Sequence, residues 1–108
     1  MVYRAEEKIF ETEVKKYLKK QGAWYVKYWG GGKFTTPGIP DLLCCVRGRF
    51  VAIETKGPKG RPTEQQLEKI QAIREAGGVA VVLYPSAFEE FKRWCEGGFV
   101  GEKPVIMK

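Results

Sequence analysis

A chain of 108 residues has room for one domain, residues 1–108, and at this size folding buries roughly 60–70% of the surface exposed by the unfolded chain. With 44% hydrophobic residues and six Phe, five Tyr and three Trp, the composition argues for a packed globule and against disorder. Nineteen Lys and Arg against thirteen Asp and Glu leave +6, a surplus that suits an anionic partner such as nucleic acid, or simply a basic soluble protein.

There is no His and no CxxC, which argues against a structural zinc site and removes every mechanism that needs an imidazole base. The odd count of three Cys does not form a disulfide framework, and the adjacent Cys44 and Cys45 read as small buried hydrophobes. No signal peptide opens the chain, and no apolar run approaches the ~20 residues of a membrane span, so a reducing, cytoplasmic setting is expected.

In chain order, a first helix is predicted from about Ala5 to Gln21. Phe10, Val14, Tyr17 and Leu18 form its apolar stripe, and Gly22 ends it. Ala23–Trp29 is aromatic and β-branched and reads as a strand. A glycine-rich loop runs from Gly30 to Gly38. Asp41–Val46 and Phe50–Lys56 follow as two strands of a hairpin, apolar on both faces and therefore expected to be buried on both sides. Beyond a basic Gly/Pro turn, Thr63 looks like the N-cap of a helix with Leu67, Ile70 and Ile73 on its buried side, closed by Gly77 and Gly78. Val79–Tyr84 is an apolar strand. Ser86 and Glu89 have capping-box spacing for a last helix carrying Phe88, Phe91, Trp94 and Cys95. The order αβββαβα, with a helical crossover between the third and fourth strands, predicts an α/β fold with a mixed central sheet flanked by helices.

Chemistry concentrates at Asp41 and at Glu54-Thr55-Lys56. Residues two apart in a strand share a face, so Glu54 and Lys56 point the same way. A hairpin loop at Arg47-Gly48 sets Asp41 opposite Glu54, and one at Gly48-Arg49 sets it opposite Lys56. Either register gathers two carboxylates and an ammonium in an otherwise apolar sheet. Buried charge is costly unless paired or bound to metal. Two carboxylates at this spacing offer hard oxygen ligands for Mg²⁺ or Mn²⁺, and such an ion beside a lysine is equipped for phosphodiester hydrolysis. The bland reading is an ion-paired hairpin in which Lys56 neutralises Glu54.

The series Gly38-Ile39-Pro40-Asp41, Phe50-Val51-Ala52-Ile53-Glu54-Thr55-Lys56, Gly60, Gln66 and Gly77-Gly78 resembles the VRR-NUC branch of the PD-(D/E)XK nucleases, in its single-domain phage and bacterial form, over about residues 7 to 92. The resemblance implies a restriction-endonuclease-like core. It also implies metal ligation by Asp41, Glu54 and the backbone carbonyl of Thr55, with Lys56 as the catalytic lysine. Thr55 stands where the family carries a β-branched aliphatic residue. A family acid on the first helix matches Glu11, with Glu7 one turn earlier as its rival; a solvated charged face is the plainer account of both. The family glutamine matches Gln66, whose spacing from Thr63 also suits a capping box.

Lys33, Lys59 and Arg61 lie in loops that bracket the site in sequence and suit phosphate contacts; Trp29 and Phe34 suit base stacking, and Tyr28 suits sheet packing. Arg47 and Arg49 belong at the far end of the hairpin. Together these expectations describe a metal-dependent endonuclease on branched or junction-like DNA, acting as a homodimer by analogy with small resolvases. The alternatives are a non-catalytic nucleic-acid-binding module on the same fold and a small structural or interaction protein.

Overall fold

A computed structural model describes residues 2–108, and side chains from Ala5 onward. The elements are α1 (Val2–Lys20), β1 (Trp24–Lys27), β2 (Leu42–Val46), β3 (Arg49–Thr55), α2 (Glu64–Glu75), β4 (Val79–Leu83), α3 (Phe88–Glu96) and β5 (Ile106–Met107). The strands form one mixed sheet in the order β1-β2-β3-β4-β5. β1, β2 and β3 are antiparallel neighbours; β3, β4 and β5 run parallel. β5 is an addition to the expected order. Its two residues complete the ladder along β4, whose other edge is taken by β3. No helix among the described residues is long and apolar enough to cross a membrane.

Strand alternation sorts the core into two layers. Leu42, Cys44, Val46, Val51, Ile53, Val79, Val81 and Leu83 face one side, where Phe10, Val14, Tyr17 and Leu18 of α1 meet Phe88, Phe91 and Cys95 of α3. Burial pushes the Cys44 thiol up to about 12, so it packs as a neutral hydrophobe. Ala52, Ala80, Val82 and Tyr84 face the other side and pack on Ile70 of α2.

α2 lies over β4 and β3, so the second face opens to solvent towards β1. This corrects the expectation of a hairpin buried on both sides: Cys45 is exposed, and its cross-strand neighbours Trp24 and Phe50 are 66% and 48% exposed. The last helix also starts differently. Pro85–Ala87 forms a 3₁₀ turn with no side-chain cap, and the Ser86 hydroxyl donates to the Lys108 carbonyl instead of capping α3.

Two glycine-bearing turns hold the site end of the sheet in register. Arg47 and Gly48 take φ of 47° and 81°, the left-handed pair of a tight hairpin turn, which pairs Val46 with Arg49 and Leu42 with Ile53. Gly38, at φ 85°, brings the loop before Asp41 against the first turn of α2; a Cβ there would lie 2.4 Å from the Gln65 carbonyl oxygen. Gly38→Ala is therefore expected to cost on the order of 1–3 kcal/mol, seen as a lowered urea midpoint, and to loosen the loop that delivers Asp41.

Candidate active site

The register selects the first of the two hairpin alternatives. One step beyond the Leu42–Ile53 pair, Asp41 stands opposite Glu54 at the end of the sheet where β3 and β4 finish. The ladder itself clamps this end: Tyr28 N–H donates to the Asp41 carbonyl at 2.7 Å, and Lys56 N–H donates to the Leu83 carbonyl at 3.0 Å.

The Asp41 carboxylate turns over the end of β3. Its Oδ2 accepts from the Thr55 N–H at 3.3 Å and from Thr55 Oγ1 at 3.1 Å. Thr55 thus supplies a hydroxyl that an aliphatic residue at this position would lack. Glu54 Oε1 accepts from the Asp41 N–H at 3.2 Å, so each acid is held by the other's segment. Glu54 Oε2 takes the Lys56 ammonium at 3.4 Å and Gln66 Nε2 at 3.1 Å.

Gln66 caps α2 and also contacts Glu54. Its amide oxygen accepts from the Thr63 N–H at 2.9 Å, completing the capping box, and its amide nitrogen serves Glu54. One side chain thereby fixes the start of α2 to the acid on β3.

Burial sets the electrostatics. Glu54 is 2% exposed, and desolvation, with the charge of Asp41 added, pushes its carboxyl up to about 8; Lys56 only partly opposes this. Burial thus disfavours the ionised form of this acid, and a cation brought beside it would favour that form. The Lys56 stem runs beneath Gly60, where a Cβ would lie 3.3 Å from Lys56 Cδ. Tyr84 OH donates to the Gly60 carbonyl at 2.8 Å and pins that turn. Nothing in the sequence reading had linked Tyr84 to the site.

Lys27 was also missed. Its Nζ reaches Glu11 Oε1 at 2.7 Å and Asp41 Oδ1 at 3.3 Å. Lys15 takes the other Glu11 oxygen at 3.1 Å. Burial alone would raise the Glu11 carboxyl, but hydrogen bonds from Lys27 and Lys15 outweigh it and hold it below the usual carboxylate value. Burial likewise opposes the Lys27 charge, and the two acids more than offset it, keeping its pKa raised. Of the two helix acids, Glu11 is the one tied to Asp41 through a shared lysine; Glu7 sits one turn earlier, half-buried.

The basic loops leave the sheet at the same end. Lys33 is exposed in the loop after β1, with its ammonium 5.7 Å from the centre of the Phe34 ring, and Phe34 itself is 93% exposed. Trp29 is 76% exposed and lies under the Lys27 ammonium, whereas the Tyr28 hydroxyl accepts from the Thr36 N–H and braces the loop. Lys59 and Arg61 are exposed in the turn after Lys56. Arg47 and Arg49 reach carbonyls of Cys95 and Gly98 at the opposite end.

Comparison with solved structures places the architecture. A structure described as a VRR_NUC domain superimposes with a TM-score of 0.67 at 22% identity, covering 84% of this chain and 95% of that one. The chain has the VRR-NUC fold. Hjc from Archaeoglobus fulgidus, described as a Holliday junction resolvase from an archaeal hyperthermophile, superimposes with a TM-score of 0.51 at 24% identity, over 72% of this chain and 69% of that one. The restriction-endonuclease-like core expected from the sequence is therefore present, with β5 added. The sequence matches no family model and no curated protein.

Proposed function

We propose that this single VRR-NUC-like domain is a divalent-metal-dependent endonuclease for structured DNA, branched or junction-like, with Asp41, Glu54 and Lys56 at its centre. The observation that carries this reading is the meeting of Asp41, Glu54 and Lys56 at one sheet end, with both acids oriented by hydrogen bonds from Thr55 and Gln66.

The donor set fits Mg²⁺ or Mn²⁺. The Asp41 and Glu54 carboxylates and the Thr55 carbonyl are hard oxygens, and a divalent ion beside the buried Glu54 would favour its ionised, ligating form. When bound there, a divalent ion would neutralise charge on a phosphate oxygen and acidify a water molecule. Thr55 and Gln66 keep the two acids oriented. Lys56, held by Glu54 and sheltered by Gly60, is placed to donate a hydrogen bond to a phosphate oxygen or to orient the attacking water. Lys33, Lys59 and Arg61 provide phosphate contacts on either side, and the exposed Trp29 and Phe34 provide stacking surfaces at a distorted or unpaired base. Glu11 contributes as a helix acid next to Asp41, through Lys27.

Selectivity for branched DNA is supported by likeness of fold to the Hjc structure, described as a Holliday junction resolvase. Action as a homodimer belongs to the same proposal, because a pair of such domains would present one site to each of two strands. Duplex, nicked, flap and four-way-junction DNA, each incubated with Mg²⁺, Mn²⁺ or EDTA, tests the proposal. Cleavage of a branched substrate with either ion and none in EDTA is expected, and Asp41→Ala or Glu54→Ala should remove it. Salt-sensitive DNA binding without cleavage under any ion would instead identify a non-catalytic binding module.

A further inference from the structure

A positively charged side chain already lies between two acids at the edge of the site. The Lys27 ammonium joins Glu11 Oε1 and Asp41 Oδ1 at 2.7 and 3.3 Å, bridging α1 to the start of β2. All three side chains are at least four-fifths shielded from solvent, at 20%, 14% and 20% exposure. Lys27 reaches this place by position: it ends β1, where its cross-strand neighbour is Leu42, next to Asp41. The remaining Asp41 oxygen is taken by Thr55, and the remaining Glu11 oxygen by Lys15. Asp41 thus reaches a metal ion only in competition with an ammonium already on its outer oxygen.

We infer that Lys27 is the resident cation of the metal-free site, a positioning residue that holds Glu11 and Asp41 together and sets how tightly the site takes a divalent ion. The inference rests on the metal reading of Asp41 and Glu54. Two effects of Lys27 act in the same direction. Its ion pair with Asp41 must be given up or shared when that carboxylate coordinates an ion, and its charge repels a dication held there. Together these effects are expected to cost about tenfold in affinity for the ion. Lys15 touches Glu11 and not Asp41, so its influence on the ion is weaker.

Mn²⁺ binding to the intact chain without DNA, followed by the loss of free-ion signal in electron paramagnetic resonance, tests this. Lys27→Met is expected to bind Mn²⁺ about tenfold more tightly than the unsubstituted chain, Lys27→Arg to stay close to it, and Lys15→Met to change little. Should Lys27→Met fail to give a folded far-UV circular dichroism spectrum, Lys27→Gln carries the same expectation. Unchanged or weaker binding in a folded, uncharged variant would overturn the assignment of Lys27. If Asp41→Asn loses Mn²⁺ while Lys27→Gln gains nothing, the metal reading stands and the lysine assignment alone fails. Absence of Mn²⁺ binding in every folded variant would remove both.

Discussion

Lys56→Ala is expected to lower the cleavage rate of a branched substrate by about 10²–10⁴-fold, the range for loss of a positioned proton-transfer or hydrogen-bonding group. Binding of the same DNA should change far less, because the substitution leaves in place Lys33, Lys59 and Arg61, the exposed loop residues proposed to contact phosphates. Lys56→Arg is not a simple rescue: the stem is enclosed under Gly60, and a planar guanidinium needs more room than an ammonium. A gel-shift titration beside a single-turnover cleavage course separates the two effects. A Lys56→Ala chain that cuts at the unsubstituted rate would remove the lysine from the mechanism, while equal losses of binding and cleavage would reduce it to a DNA contact.

Glu54 produces the second large effect, and its sign follows from the direction of its shift. In the metal-free folded chain burial pushes its carboxyl from 4.5 up to about 8, so between those values the folded state holds a proton that the unfolded state has released. The contribution to stability is complete below about 4.5 and is lost as the pH rises through 8. Glu54→Gln cannot ionise. In EDTA it should match the unsubstituted chain near the low end of that window and exceed it above pH 8, by several degrees in melting temperature. Added Mg²⁺ or Mn²⁺ should reverse the order, stabilising the chain that carries the carboxylate and leaving Glu54→Gln nearly unchanged. Calorimetric melting at pH 5 and 8.5, with EDTA and with Mn²⁺, checks both halves. A Glu54→Gln chain that melts below the unsubstituted one at pH 8.5 in EDTA would contradict the burial argument.

Features set by short-range rules were legible before the structure. Either hairpin register gathers Asp41, Glu54 and Lys56 on one face of the sheet; the choice of Arg47-Gly48 as the turn, and of Glu54 as the residue opposite Asp41, came from the structure. Thr63 and Gln66 are three residues apart, and the capping box follows. The α1 stripe follows from helical spacing, and the crossover through α2 makes β3 and β4 parallel.

Features set by tertiary placement were not legible. Two residues of β5 carry too little pattern to announce a strand and gain order from the free edge of β4. Ser86 had two possible partners, and the chain end gave it the Lys108 carbonyl in place of an α3 cap. Cys45 looks like a core residue in sequence, yet α2 does not extend its cover to that corner of the sheet. In the site, Lys27 and Tyr84 are ordinary strand residues until folding brings α1 to one and the Gly60 turn to the other. The Thr55 hydroxyl likewise gains a purpose only once Asp41 bends over the end of β3.

A crystal soaked in Mn²⁺ and measured at the manganese absorption edge tests the central claim most directly. One anomalous peak within about 2.0–2.6 Å of oxygens from Asp41, Glu54 and the Thr55 carbonyl is the result expected of a divalent-ion nuclease site. A lattice saturated with Mn²⁺ that shows no peak there, with Lys56 still paired to Glu54 and Lys27 to Asp41, would mean that the acids and lysines form a structural ion-pair network and that hydrolysis does not occur at this end of the sheet.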